Sequence, residues 1–410
     1  MLRTGAKFIF NLAAVFTLMK CIDPYTPKLN GFESFLVVEG MITDENTSFT
    51  VKLSRTLQEQ NATPTPVLDA TVFITDDEAK STSLKNIGAG KYTTESIEFQ
   101  GIIGKTYILH IHIGESAEYE SEPYTMQSVP EIDSIYFAKV QELSDNGTVN
   151  NQGIRIYLDS KEGNNNKYYR WDFEETWKFK VPSPKKYNYL NDTTILPVTD
   201  IKEYCWKFNK SNEVLINPVF SGQNSRIVKE PILFLDPRKS DRLRLQYSIL
   251  IRQYSISKKE HDFWNSMIKI NESGGDIFAS QPFPVISNIY NVNNPNERVL
   301  GYFHVSAVKQ KRKNIPFSEV AGLNLPFYRY PCVRIEMAPQ DYPRASPYAP
   351  PLTWNGLYEM YCKNSNYYFV EPRYFQGTDK LDKLVFTKPE CADCELTGTR
   401  TKPDFWIDLN

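Results

Sequence analysis

A mainly β chain of two domains is what this sequence predicts, with one capped α-helix and an exported leader in front. Three observations predict it. Apolar and polar residues alternate at period two in several runs, as in Phe49, Val51 and Leu53 around Thr50 and Lys52, the mark of a half-buried strand. Those runs are short and separated by Gly, Asn and Asp, the turn spacing of a sandwich. Aromatics make up 13 % of the chain, with 25 Tyr and 24 Phe, a bias toward strands and contact surfaces. A length of 410 residues allows roughly two to three domains with ample core.

The leader comes first. Arg3 and Lys7 precede an apolar run from Phe8 to Met19, broken only by Asn11 and Thr17. A basic start before an apolar stretch of about 7–15 residues is the order of a secretory signal, and the run falls short of the about 20 residues that span a bilayer. Residues 1–20 are expected to be a lipoprotein signal peptide, with Cys21 as lipid anchor. Leu18 stands at −3, as in bacterial lipoprotein signals, whereas Lys20 at −1 departs from the small residue usual there. Acyl chains contribute about 0.8 kcal/mol per buried CH₂, and more than one chain gives stable anchoring. Pro24 and Pro27 favour an extended tether over residues 21–31. Loss of residues 1–20 moves the formal charge from −2 to −5, which leaves no basic excess for nucleic acid.

Residues 32–128 read as one β-sandwich. Phe35 to Val38 is a short apolar strand, and Ala70, Val72 and Ile74 alternate. Gly88-Ala89-Gly90 marks a turn, and Tyr107, Leu109, Ile111 and Ile113 form the clearest strand. The order Pro66-Val67, Ala70-x-Val72-x-Ile74, Gly90-x-Tyr92 and Gly104-x-x-Tyr107 resembles transthyretin-like or carboxypeptidase-regulatory-like sandwiches, which implies an Ig/transthyretin-like fold and a spacer or adhesive unit.

A boundary near Gln127-Ser128-Val129-Pro130 opens a larger β-rich domain over 129–410. Ile154 to Leu158 alternates. Tyr168 to Trp177 reads as a long strand with aromatics on both faces, as a strand covered on both sides should. Residues 181–200, with three prolines and several Asn, read as a surface loop. Leu243, Leu245, Tyr247, Ile249 and Ile251 alternate into the one convincing helix, near 257–273. Ser257-Lys258-Lys259-Glu260 is a capping box, in which Ser257 accepts from the Glu260 N–H and Glu260 reaches back. Phe263, Trp264, Met267 and Ile268 share a helical face, and Gly274-Gly275 stops the helix. Val299 to Val308 is a further strand.

Recognisable chemistry is sparse. Adjacent Glu174 and Glu175 point to opposite faces of a strand, so they cannot share one substrate bond. His110 and His112 share the outward face of theirs, without a third metal ligand. Neither a Gly-x-Ser-x-Gly nor a His-Glu-x-x-His motif occurs, nor a P-loop or dinucleotide fingerprint, so no catalytic residue, metal or cofactor is assigned. Cys391-x-x-Cys394 admits zinc, redox and disulfide readings. Disulfides fit an oxidising compartment best, with Cys332, Cys362, Cys391 and Cys394 as candidates in any of three pairings and Cys205 left free. Prolines from Pro339 to Pro351 interleave with aromatics, which makes Tyr342, Tyr348, Trp354 and Tyr358 the ligand-binding candidates.

Several motifs together carry a resemblance. They are Arg170-Trp171, Glu175-Thr176-Trp177, Cys205-Trp206, Gln253 to Ser257, Phe263-Trp264, Gln281-Pro282, Val299 to Phe303, Cys391 to Cys394 and Lys402 to Trp406. The chain resembles the Bacteroidota outer-membrane lipoproteins of domain-of-unknown-function family 4249, from Cys21 onward. Thr399 stands where a second glycine is expected after Gly398. The resemblance implies a lipid-anchored protein of the outer membrane and cell surface. It also implies an accessory binding role beside a SusC-like TonB-dependent transporter in nutrient uptake, and it supplies no catalytic residues. The alternatives are a structural subunit of an envelope assembly or secretion complex, and a surface hydrolase.

Overall fold

The computed structural model describes residues 34–56, 63–95, 99–143, 149–161, 167–217, 226–273, 287–343, 346 and 348–409. The leader, Cys21, the tether, Gly274-Gly275 and Gln281-Pro282 lie outside the described residues. The chain is mainly β, in several sheets with few helices. No helix among the described residues is long and apolar enough to cross a membrane.

Alternation at the start of the chain builds an eleven-stranded, nearly closed sheet. Leu36–Ile42 and Thr50–Arg55 pair antiparallel, and Leu36, Val38, Val51 and Leu53 fill the interior. Ser81–Gly88 serves both halves. It pairs with Ala70–Asp76 through its first residues and with Lys91–Thr93 through its last.

Two strands from far along the chain complete this sheet. Val299–Val305 runs parallel to Leu36–Ile42, and Ile289–Asn291 pairs with Ala117–Ser121. Residues 289–305 thus join the sheet begun by residues 36–125, although local pattern placed them in the second domain; a strand's own sequence does not name its partner. Gly301 permits the parallel pairing. Its φ is +89°, and a Cβ there would collide with the Val38 carbonyl oxygen. Asn288, 4 % exposed, bridges the two incoming strands. Its Nδ2 donates to the Phe303 carbonyl at 2.8 Å and its Oδ1 accepts from the Phe303 N–H at 2.9 Å, so a side-chain amide stands in for a strand's backbone.

A second body is organised on Tyr169–Lys180, flanked by Tyr204–Lys210 and Gln246–Ser255, with Val308–Pro316 beyond. A three-stranded sheet of Ile132–Leu143, Val149–Ser160 and Glu230–Leu235 lies beside it. The expectation of aromatics on both faces of the central strand is corrected. Tyr169, Trp171, Phe173, Trp177 and Phe179 all point inward, while Arg170, Asp172, Glu174 and Lys178 share the other face. Strict period two sorts them because every aromatic of Tyr169–Lys180 occupies an odd position, while Tyr168, just before the strand, packs against the cluster of Tyr254, Ile256 and Val308. The strand begins at Gln246, three residues after the start of the alternation at Leu243, because the Arg244 N–H closes a turn on the Asp241 carbonyl at 3.0 Å.

Ser257 caps the helix Lys258–Ser273, accepting from the Glu260 N–H at 3.0 Å. Glu260 does not return to the cap as the capping box foresees. Its Oε1 lies 2.8 Å from Nδ1 of His304 and accepts from Trp264 Nε1 at 3.4 Å, which ties the helix to the strand Val299–Val305. Two short α-helices, Phe317–Ala321 and Trp354–Tyr358, add to the one the sequence predicts.

The expected loop over 181–200 contains a hairpin, Tyr187–Asn191 with Thr194–Pro197. The Asn191 side chain turns it by accepting from the Thr193 N–H at 3.0 Å. Tyr189 packs with Leu357, Phe369, Leu384 and Phe386 in a small separate core, over the sheet Arg334–Met337, Tyr368–Tyr374 and Leu381–Thr387.

Two disulfides brace this region, Cys205–Cys394 and Cys332–Cys391. The sequence-based assignment is corrected at two positions: Cys205 is bonded, and Cys362 is a free thiol. Cys394 reaches Cys205 because the C-terminal segment lies along the strand Tyr204–Lys210. The Cys394 N–H donates to the Lys202 carbonyl at 3.1 Å, and Trp206 exchanges backbone bonds with Thr399. Cys362 lies on the π-helical segment Glu359–Asn364, packed against the small core.

Candidate functional site

The stretch 236–245, Asp-Pro-Arg-Lys-Ser-Asp-Arg-Leu-Arg-Leu, is too charged to enter a core and too short of alternation to pair. It forms a loop between the strands Glu230–Leu235 and Gln246–Ser255. Two buried carboxylates hold it. Asp241, 4 % exposed, accepts from Trp177 Nε1 at 2.8 Å, Lys207 Nζ at 3.1 Å and the Tyr330 hydroxyl at 3.1 Å. Glu175, 2 % exposed, accepts from Arg242 Nε and Nη2 at 2.8 and 3.2 Å, the Tyr247 hydroxyl at 2.8 Å and Asn209 Nδ2 at 2.7 Å. The Arg242 guanidinium also lies 4.6 Å from the centre of the Trp177 ring, a cation–π contact.

Electrostatics follow from this packing. Burial and the adjoining Glu175 push the Tyr247 hydroxyl well above its usual range. Burial and Asp241 raise Tyr330 likewise. Burial works to raise Asp236, but the side-chain and backbone donors of Arg238 outweigh it and hold the carboxyl low. Both tyrosines therefore remain hydrogen-bond donors to these carboxylates at neutral pH.

A cleft lies on each side of it. On one side is a polar cleft of about 320 Å³, lined by Glu175, Asn209, Lys210, Ser211, Asn212, Lys239 and Arg242 with Phe173 and Phe234. On the other is an apolar groove of about 270 Å³ between Leu243 and the segment 317–328, walled by Phe317, Val320, Leu325, Pro326, Phe327 and Tyr328. Ser240 lines both. An apolar recess with a few convergent polar groups is the usual form of a small-molecule site.

The structure places the four sequence-based ligand candidates elsewhere. Tyr342, Trp354 and Tyr358 pack on the small core; Tyr358 stacks on Tyr189 at 4.7 Å between centroids. Tyr348 stands apart, 96 % exposed. His110 stacks on Phe73 at 4.6 Å, with Nδ1 3.0 Å from Glu120 Oε1 and Nε2 2.8 Å from Thr75 Oγ1. Among the described residues no group of three or more His, Cys, Asp or Glu is arranged to hold a metal ion.

A family model described as domain of unknown function, DUF4249, matches residues 22–312. The chain belongs to the DUF4249 family. No match to a curated protein was found. The DUF4249 match contains Glu175, Asp241 and the whole 236–245 loop, and ends within the strand Val308–Pro316. The 317–328 wall, eight of the twelve residues that line the apolar groove, and all the disulfide partners except Cys205 lie beyond it. The sequence reading passed over this site. Its signal was the dense run of charge at 236–245, whose meaning depended on Glu175 and Lys207 from other strands.

Proposed function

We propose that this DUF4249 protein is an outer-membrane lipoprotein, anchored through Cys21, that serves as an accessory binding subunit beside a SusC-like TonB-dependent transporter. The observation that carries the reading is the leader: Arg3 and Lys7, the run Phe8–Met19, then Cys21, in the order export and acylation require. The disulfides Cys205–Cys394 and Cys332–Cys391 support an oxidising compartment. The transporter enters through the family resemblance. We read the first sheet as an Ig- or transthyretin-like sandwich that spaces the second body from the anchor.

Binding is preferred to hydrolysis on a specific ground. The buried carboxylates Glu175 and Asp241 are each engaged by three side chains. Each holds a loop in place: Glu175 accepts four hydrogen bonds, about all a carboxylate can take, and Asp241 is committed to three donors from three different segments.

The test is detergent extraction of the tagged protein from its own outer membrane, with co-purifying proteins identified by mass spectrometry. A stoichiometric TonB-dependent transporter, lost in Cys21→Ser, is the expected result. Recovery with barrel-assembly or secretion components would overturn uptake in favour of a structural envelope subunit. Recovery alone, from the soluble fraction, would overturn the anchor itself.

A further inference from the structure

We propose that the groove between Leu243 and the 317–328 segment binds a small amphipathic carboxylate, with an aromatic or branched aliphatic group in the groove and the carboxylate on Arg244. The inference concerns this groove alone and does not depend on the membrane reading.

Charge is the first ground. Arg244 is the one charged residue lining the groove. Its Nη1 donates to the Tyr328 carbonyl at 3.3 Å, and the guanidinium lies 5.7 Å from the centre of the Phe327 ring. Among the described residues no carboxylate pairs with it, whereas Arg238 and Arg242 of the same loop are each held by one. A guanidinium has five N–H donors in a fork that matches a carboxylate. One is used here, and no acidic side chain lines the groove to repel an anion.

Apolar surface is the second. Leu243 and Val320 are 7 % and 4 % exposed and form a fixed floor, while Phe327 is 63 % exposed. A large aromatic left in water on one wall of a recess gains by being covered, because burial removes its apolar surface from water. The volume of about 270 Å³ falls just below the range for pockets that take drug-sized ligands, about 300–1,000 Å³, so the occupant is small. Asn324 adds a polar rim. It is held at φ +49°, in the left-handed region that Asn tolerates better than most residues, and its amide can both donate and accept.

The proposal predicts a charge-dependent preference. The probe pair is N-acetylphenylalanine and its primary amide, which share shape and apolar surface and differ in charge. Titrated calorimetrically into the purified protein, the acid is expected to bind at least tenfold more tightly than the amide. Arg244→Gln should abolish the preference. Phe327→Ala should weaken both probes severalfold and keep the preference. Both residues are exposed, so an unchanged unfolding midpoint certifies each variant. The tripeptide Gly-Gly-Phe, with a free C-terminus, separates sources: binding equal to the acid assigns the groove to peptide ends as well as free acids, and weaker binding assigns it to free acids. Equal binding of acid and amide, or a preference that survives Arg244→Gln, would overturn the proposal, as would no saturable binding at millimolar probe. None of these results bears on the anchor, and a failed transporter recovery does not bear on the groove.

Discussion

Removal of Glu175 should destabilise the chain far more than removal of its neighbour Glu174. Glu175→Ala leaves three donors without an acceptor: the Arg242 guanidinium, whose side chain is 23 % exposed, the Tyr247 hydroxyl and the Asn209 amide. Breaking a buried pair from one side costs about 3–5 kcal/mol, because the remaining charge stays desolvated. Glu174 pairs with Arg252 and Lys210 on the outward face, where its side chain is 31 % exposed and that of Lys210 is 78 %. Solvent screens those pairs to about 0–1 kcal/mol. The assay is urea unfolding with the disulfides intact, followed by tryptophan fluorescence. With a slope of about 3 kcal/mol per M, Glu175→Ala should lower the midpoint by about 1–1.7 M, and Glu174→Ala by about 0.3 M or less. Combining Glu175→Leu with Arg242→Met should recover part of the loss, since apolar replacement of both partners removes the stranded charge. Equal midpoint shifts for the two single alanine variants would refute the assignment of these adjacent residues to opposite faces.

Three further outcomes follow from the packing. Gly104→Ala, at φ +90° in open space, should cost the left-handed term alone, about 1–2 kcal/mol. Gly301→Ala, at φ +89° against the Val38 carbonyl, should lower the thermal midpoint further, and equal midpoints would contradict the parallel pairing. Burial raises the Glu230 carboxyl to about 7, while an unfolded glutamate titrates at about 4.3. Between those values the folded chain holds a proton the unfolded chain has lost, so stability falls as pH rises through the window. Glu230→Gln should flatten that slope and be the more stable protein at pH 8; an unchanged slope would count against it. Non-reducing peptide mapping should yield Cys205–Cys394 and Cys332–Cys391. Burial pushes the Cys362 thiol up to about 11, so among the described cysteines it alone should alkylate, slowly at pH 8 and faster in urea. A bridge at Cys362 would overturn the pairing.

What the sequence made legible is what alternation encodes locally. Strands around Tyr107 to Ile113 and Ile154 to Leu158 follow from period two, as does the opposite facing of Glu174 and Glu175, and the Ser257 cap follows from residue spacing. Pairing at long range was not legible. Nothing in Val299–Val305 says that its partner is Leu36–Ile42, and nothing in Cys391-x-x-Cys394 says that its two thiols turn to different partners, one of them 189 residues away. The aromatics near Tyr342 to Tyr358 look like a binding surface by density, yet three of the four candidates are drawn into a small core that the hairpin 187–197 completes. Aromatic content measures apolar area, and whether that area is spent inside or outside depends on which distant element covers it.

The two buried carboxylates bear on how the groove would work. A loop free to move loses conformational freedom when a ligand arrives, at about 0.5–1.5 kcal/mol for each side chain it immobilises. The 236–245 loop has lost that freedom on folding, because Asp241 and Glu175 tie it to Trp177, Lys207, Tyr330, Tyr247 and Asn209. Leu243 is thereby fixed as a floor, and Arg244 is carried on a backbone that already closes a turn on Asp241. Ligand affinity then depends on the apolar surface covered and on one guanidinium, not on loop closure. The same ties explain why a chain of modest charge keeps Glu175 and Asp241 almost out of water: stranded they would be costly, but bonded to several donors each they hold a polar loop between two clefts.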